Sequence, residues 1–343
     1  MKRIRNRGTL LILLAILHLP IAFAGFFAPY SFAEQDRERP FAPPSRIHFF
    51  DFEGRFHARP FIYGLKDDPN NFGSYLVDSG RMYPMHFFIA GSSYRLIGLI
   101  PSDLHLFEVD GPGRIFLMGT DGYGRDQFTR FVYGGQNSLA AGLVAATFSL
   151  LVGAVVGAFA GFHGGWIDNL FMRGGDIFLA LPWLYLLFAV RAALPLHIAQ
   201  WQVFLLLVAV IGLIGWARPA RLIRGVVLSA RERNFVAAAR GFGASDFYLL
   251  RRHILPQTYG VVLTQLTLLI PQYILAEVTL TFLGLGVGEP MPSWGSLLSV
   301  LQGYYVLSSY WWMFLPAVLL IPLFLGYFWM ADALQEHLKS VPL

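Results

Sequence analysis

Cysteine is absent from this 343-residue chain, which removes disulfide scaffolds, thiolate metal sites and cysteine nucleophiles at once. Charge is the second scarcity. Asp, Glu, Lys and Arg make up 14% of the residues, against about 25% in an ordinary soluble domain. The sequence also lacks a GxxxxGK[ST] phosphate loop, an HExxH pair and a GxSxG elbow, so the common nucleotide-binding, zinc-peptidase and serine-hydrolase signatures are missing. What is present is apolar: 55% hydrophobic residues, with 31 Phe, 15 Tyr and 8 Trp. Disorder, collagen and coiled coil are excluded, and a membrane protein is the expectation.

The few charges are segregated. Lys2, Arg3, Arg5 and Arg7 open the chain, and residues 8–33 carry no charge. Residues 34–136 hold 13 acids and 11 bases, residues 137–167 none, and residues 290–331 none. About 20 apolar residues cross the ~30 Å hydrocarbon layer as a helix, the form that satisfies every backbone amide within its own segment. Six segments qualify: 9–30, 138–161, 174–194, 200–217, 258–282 and 309–331, with Arg191 snorkelling from the edge of the third. Ala22-Phe23-Ala24 resembles a signal-cleavage site, but the uncharged run is longer than a signal core of about 7–15 residues, so an uncleaved anchor is expected. Six spans place the basic N-terminus and eight arginines of residues 218–253 on one side, which the Lys/Arg rule makes the cytoplasm. Both termini are then cytoplasmic and residues 34–118 lie outside.

That outer stretch has partly alternating aromatic runs (Ile47–Phe50, Arg59–Tyr63, His86–Ile89) separated by turn signals such as 67–71 and Gly111-Pro112-Gly113, which predicts a small β-rich insert. Its histidines (48, 57, 86, 105) have no tight ligand spacing, so surface or core roles outweigh a metal site; no metal is expected. A docking surface for an extracytoplasmic partner is the functional alternative.

Residues 218–256 carry the most information. Arg218, Arg221 and Arg224 recur every three residues on one helical face. Ser229 and Glu232 fit a capping box, which predicts a helix through Phe235 to Arg240, broken by Gly241 and Gly243. Ser245 or Asp246 caps a second short helix ending near Pro256. Two short helices thus meet at a small-residue bend that another protein can approach closely. Basic residues held against a membrane give little support to nucleic-acid binding.

This segment resembles the cytoplasmic EAA loop of permease subunits in binding-protein-dependent ABC importers, with Ala237-Ala238-Ala239, Gly243 and Ile254-Leu255-Pro256 at the pattern's positions. Other runs narrow the resemblance to the C-type subunit of the dipeptide/oligopeptide/nickel class: Gly119-Thr120-Asp121 with Gly124-Arg125-Asp126, Tyr133-Gly134 with Ser138-Leu139, Gly161 to Asp168, Asp176-Ile177, Ala276-Glu277, Phe282 to Gly286, and Pro292-Ser293-Trp294-Gly295. It covers about residues 1–32 and 117–340. The family's acidic position is Ala237 here, so any contact it makes is missing or supplied elsewhere, with Glu232 nearby.

The resemblance implies an all-α polytopic membrane protein of the type I ABC importer kind: six transmembrane helices with a small β-rich extracytoplasmic insert after the first. Residues 1–33 form the cytoplasmic N-terminus and first helix, 34–118 the insert, and 119–343 a five-helix core with the loop 218–256. It implies half of a translocation pathway for peptides or a related small solute in the bacterial cytoplasmic (inner) membrane. The partners implied are a second permease subunit of a different sequence, one or two ABC ATPase subunits that bind ATP and magnesium, an extracytoplasmic solute-binding protein and the lipid bilayer. The chain itself then has no catalytic residue and no cofactor. The coupling residues would be Phe235, Ala237, Ala238, Ala239, Arg240, Gly243, Ala244, Ser245 and Pro256, with Glu277 and Asp176 on the pathway or in helix packing. Gly153 and Gly157 suit helix packing. An ATP-independent channel or secondary transporter is the alternative.

Overall fold

The architecture is that of a computed structural model. It describes residues 7–340 except 72, 97, 181, 183, 184, 187, 190, 191 and 193–198. Two compact units form: residues 1–10, 139–279 and 324–343, and residues 11–138 with 280–323.

In the second unit, α1 (Arg7–Ala22) gives way at Phe23 to the single turn α2 (Ala24–Phe27), so the segment expected to run unbroken over 9–30 is divided. The insert folds as four antiparallel strands in chain order: β1 (His48–Phe50), β2 (Phe56–Asp67), β3 (Tyr75–Leu96) and β4 (Ile100–Val109). β3 is long enough to pair β2 with its first half and β4 with its second (Tyr63↔Met82, His86↔Glu108). Ile62, Met85, Phe107 and Val109 close a core with Tyr30, Ile115 and Phe116. The Tyr30 hydroxyl accepts the Ile115 amide at 2.8 Å. Of the histidines, His105 is buried between the Ala28 and Ser92 carbonyl oxygens, at 2.6 and 2.9 Å. Among the described residues no cluster of three metal-ligating side chains occurs.

The helices continue with α3 (Gln127–His163), α4 (Gly165–Ala180), α5 (Gln200–Gly215), α6 (Ala217–Arg231), α7 (Asn234–Gly241), α8 (Asp246–Leu249), α9 (Tyr259–Phe282), α10 (Trp294–Ser299), α11 (Tyr304–Ser309) and α12 (Leu315–Ser340). Among the described residues three helical stretches are long and apolar enough to cross a membrane: 127–163, 246–282 and 311–336. A fourth counts if α5 and α6, bent by 41°, are one span. The 174–194 segment is described as a helix only through Ala180, and Arg191 lies outside the described residues.

Small residues set the helix contacts of the first unit. Gly153, Gly157 and Gly161 stand at every fourth position of α3, on one face. A Cβ on Gly157 would lie 2.3 Å from the Ala220 carbonyl oxygen, one on Gly153 2.9 Å from that of Trp216, and one on Gly161 2.9 Å from that of Arg224. Backbone therefore meets backbone along three turns, the close approach that small residues permit between helices. Gly157→Ala is expected to lower thermal stability by about 1–3 kcal/mol through overpacking. Gly174→Ala, where an added Cβ meets nothing within 4 Å, should be neutral or slightly stabilising. Melting of the two purified variants in detergent checks the contrast.

Candidate functional site

The loop after α6 is built from capping chemistry. α6 runs on to Arg231, so Ser229 lies inside its last turn and caps nothing, which corrects the expected capping box. Val227 and Ala230 are buried on the same helix, and that burial outweighs the local signal. α7 starts at Asn234 from Arg233 in extended conformation, without a side-chain cap. It ends in a Schellman motif: the Gly243 amide bonds the Arg240 carbonyl at 3.0 Å and the Ala244 amide bonds that of Ala239 at 3.1 Å. Gly243 holds φ +86°, which favours glycine. Ser245 then caps α8, its hydroxyl accepting the Tyr248 amide at 3.4 Å. Arg240 pairs with Asp246 across the turn at 3.3 Å.

The helix begun at Asp246 does not end near Pro256, a second correction. A π turn over Leu250–Ile254 and a 3-10 turn over Leu255–Thr258 carry it into α9. Proline lacks an amide hydrogen, and changing the turn type around Pro256 lets the helix pass without breaking.

Val236, Leu249 and Ile254 are buried and anchor the bend, while Phe235, Ala237 and Ala238 face solvent and Ala239 and Ala244 are half-buried. The sequence reading missed Phe242, Phe247 and Tyr248. Phe242 is 93% exposed, and Phe247 and Tyr248 are exposed beside it. An aromatic between two glycines was the available signal.

The α6 arginines divide by partner. Arg221 bonds Asp176 and Arg224 bonds Asp168 through two nitrogens, both acids on α4. Arg231 donates to the Phe162 carbonyl at 2.8 Å, closing the end of α3. Arg218 has no carboxylate partner among the described residues and instead lines a cavity with Phe178, Ile211, Leu269, Gln272 and Tyr273. Asp176 thus joins α4 to α6 through Arg221. Glu277 is fully buried and is not among the residues lining this cavity.

In the second unit the separately quoted motifs interlock. Arg125 donates to Asp121 at 2.8 Å and to Glu289 at 2.6 Å, and Arg130 donates to the other Glu289 oxygen at 2.8 Å. Asn137 donates to the Pro292 carbonyl at 2.7 Å, the Ser138 hydroxyl accepts the Trp294 amide at 3.2 Å, and the fully buried Trp294 indole donates to the Phe131 carbonyl at 3.1 Å. Glu289 was not singled out from the sequence, because nothing local distinguishes it. Asp126, buried, caps α3 by accepting the Thr129 amide at 2.8 Å. Burial pushes its carboxyl up to about 6, against hydrogen bonds from Thr129 and Phe128 and the charge of Arg114.

Residues 153–340 match the family described as binding-protein-dependent transport system inner membrane component. The chain is 35% identical over 222 residues to a dipeptide transport system permease protein of Bacillus subtilis (strain 168), covering 64% of this chain and 67% of that protein. It is 35% identical over 239 residues to an oligopeptide transport system permease protein of the same organism, covering 69% and 76%. A solved amino acid ABC transporter with histidines is similar at 16% identity and a TM-score of 0.47, covering 61% of this chain and 94% of that one.

Asp126 yields a pH prediction. An unfolded carboxyl ionises near pH ~4, so this group favours the folded state while protonated. That contribution is complete below about pH 4 and is lost as pH rises through about 6. Asp126→Asn keeps an oxygen for the Thr129 amide and removes the titration. Its stability relative to the parent should rise by roughly 2 kcal/mol between pH 4 and pH 7.5, read from paired unfolding curves at each pH.

Proposed function

The chain belongs to the binding-protein-dependent transport system inner membrane component family, and from that membership we propose that it forms half of an ATP-driven import pathway for peptides. It is a permease subunit of an ABC importer and a membrane protein. The peptide cargo is supported by the names of its dipeptide and oligopeptide relatives. Six spans with both termini cytoplasmic are supported by the three long apolar helices, the bent α5–α6 pair, the uncharged 8–33 run and the helix entering residues 174–180. On this reading residues 1–33 are the N-terminus and first span, 34–118 an extracytoplasmic insert, and 119–343 the remaining core. The partners are a second permease of different sequence, one or two ATPase subunits holding ATP and magnesium, and an extracytoplasmic binding protein.

The observation that carries the coupling role is the bend at residues 235–256. It exposes Phe235, Phe242, Phe247 and Tyr248 while burying Val236 and Leu249. Aromatic rings held out on a rigid frame are the kind of side chain that dominates protein interfaces. The frame includes Ala237, Ala238, Ala239, Arg240, Gly243, Ala244, Ser245 and Pro256; the ATPase is the proposed occupant. Binding and hydrolysis of ATP would move this frame and bias the pathway between two states. The cavity on α4, α5, α6 and α9 is the proposed stretch of pathway in this chain. Arg218 is the charge on its wall without a carboxylate partner among the described residues, Asp176 holds Arg221, and Glu277 serves helix packing.

Phe242→Ala should leave membrane level and melting temperature unchanged and weaken ATPase capture by about tenfold or more, ~1.4 kcal/mol. Gly243→Val forces a branched residue to positive φ at a cost of about 1–2 kcal/mol and should uncouple uptake at normal membrane levels. The deciding experiment is a mild-detergent pull-down of the tagged chain from its own membrane. Recovery of an ATPase and a second permease is the expected result. Recovery of the chain alone across several detergents, with peptide uptake that persists without ATP, would sink the proposal in favour of a channel or secondary transporter.

A further inference from the structure

The β3–β4 hairpin of the insert carries its apolar residues at its tip. Between Tyr94 and Ser102 the sequence reads Arg-Leu-Ile-Gly-Leu-Ile-Pro, with Arg95 its single charge. Leu99 is 79% exposed and Ile100 62% exposed. A turn joining two strands outside a membrane is ordinarily polar, so this one needs an apolar neighbour.

Contacts with the first segment show where the tip lies. His105, paired with Ile89, bonds the Ala28 carbonyl. Farther along the hairpin, Tyr94 lays its ring over Gly25, where a Cβ would fall 2.0 Å from the ring, and its hydroxyl reaches the Leu104 carbonyl. Moving toward the hairpin tip therefore means moving back along the segment, from Ala28 toward its middle. Past Tyr94↔Ser102 the ladder continues through Arg95↔Pro101 to Leu96↔Ile100, about 7 Å further at ~3.3 Å per residue.

The depth follows from helix rise. Residues 8–33 are uncharged, and the sixteen residues of α1 with the four of α2, which ends just before Ala28, rise about 30 Å at ~1.5 Å per residue, close to the thickness of the hydrocarbon layer. Ala28 then marks the membrane boundary, and the tip lies below it. Ile12, Ile16 and Leu19 of α1 are exposed as a lipid-facing helix requires. Phe88 is 66% exposed, with its ring 6.2 Å from that of Phe26 at the same boundary, where aromatic side chains concentrate.

We propose that the β3–β4 hairpin dips its tip, at Leu99 and Ile100, into the leaflet from which the first segment emerges, so that the insert grips the bilayer as a second, monotopic anchor. The tip reaches the boundary between headgroups and acyl chains, where water and headgroups still satisfy its backbone. Leu99 and Ile100 enter the acyl region, and the Arg95 guanidinium meets lipid phosphates as long basic side chains do at that level. The insert's orientation on the membrane is thereby fixed at two points.

The absence of cysteine makes the test clean. Leu99→Cys, Ile100→Cys and Asn70→Cys, the last in the exposed β2–β3 turn, are each labelled with a nitroxide in the full chain. The proteins are reconstituted in phosphatidylethanolamine–phosphatidylglycerol vesicles, and collision with oxygen and with a water-soluble nickel chelate is measured by power saturation. The expected result is an oxygen-to-nickel ratio at 99 and 100 several-fold above that at 70. A ratio equal to that at 70 would place the tip in water and overturn the proposal. Low accessibility to both agents would overturn it as well, because it would mean that protein and not lipid covers the tip.

Discussion

Backbone contact between α3 and α6 is the constraint on which the first unit depends. Gly153, Gly157 and Gly161 let α6 come within a distance that any side chain would forbid. At that distance the α6 arginines reach α4: Arg224 bonds Asp168 and Arg221 bonds Asp176, while Arg231 takes the Phe162 carbonyl near the end of α3. Each of these bonds is long-range in sequence, and each needs α6 in register with the glycine face. α7 and α8 follow from the end of α6, so the position of the exposed aromatic bend is inherited from three glycines about eighty residues earlier.

This explains which parts were legible in the sequence. Gly243 was, because a Schellman turn makes a local demand that one residue type meets. Ser245 was, because a cap needs only its own first turn. The separation of apolar and charged runs put helical stretches close to 200–217, 258–282 and 309–331, where α5, α9 and α12 lie. Ser229 and Pro256 misled for one reason: each signal is local, and burial of Val227, Ala230, Leu249 and Ile254 along continuous helices overrides it. Phe242, Glu289 and the Asp168–Arg224 bond left no periodic or compositional mark, since their roles depend on partners far along the chain.

The second unit solves a different problem. Arg125 and Arg130 are nearly fully buried, and a buried guanidinium requires both charge and hydrogen bonds. Asp121 supplies one carboxylate from the same turn, but Arg130 also needs Glu289, more than 150 residues away. A half-exposed Glu289 carboxylate bridging both guanidiniums ties the 284–293 connection to the start of α3. The Asn137 and Ser138 bonds to 292–294, about two turns past Arg130 on α3, hold the same connection. Motifs widely separated in sequence therefore form one hydrogen-bonded seam.

Charge pairing also separates the roles of residues that look alike. Three arginines at three-residue spacing on α6 would all serve the same purpose if their task were to hold a helix end against anionic lipid. Two of them are instead neutralised by acids on α4, and the helix end they mark is locked to its neighbour. Arg218, one turn before them, has a cavity with Gln272 and Tyr273 in place of a carboxylate. A cation with no carboxylate partner among the described residues is stabilised by water or another polar group that enters that space. The glycine contact that gives Arg221 and Arg224 their partners is thus also what leaves Arg218 facing the cavity alone.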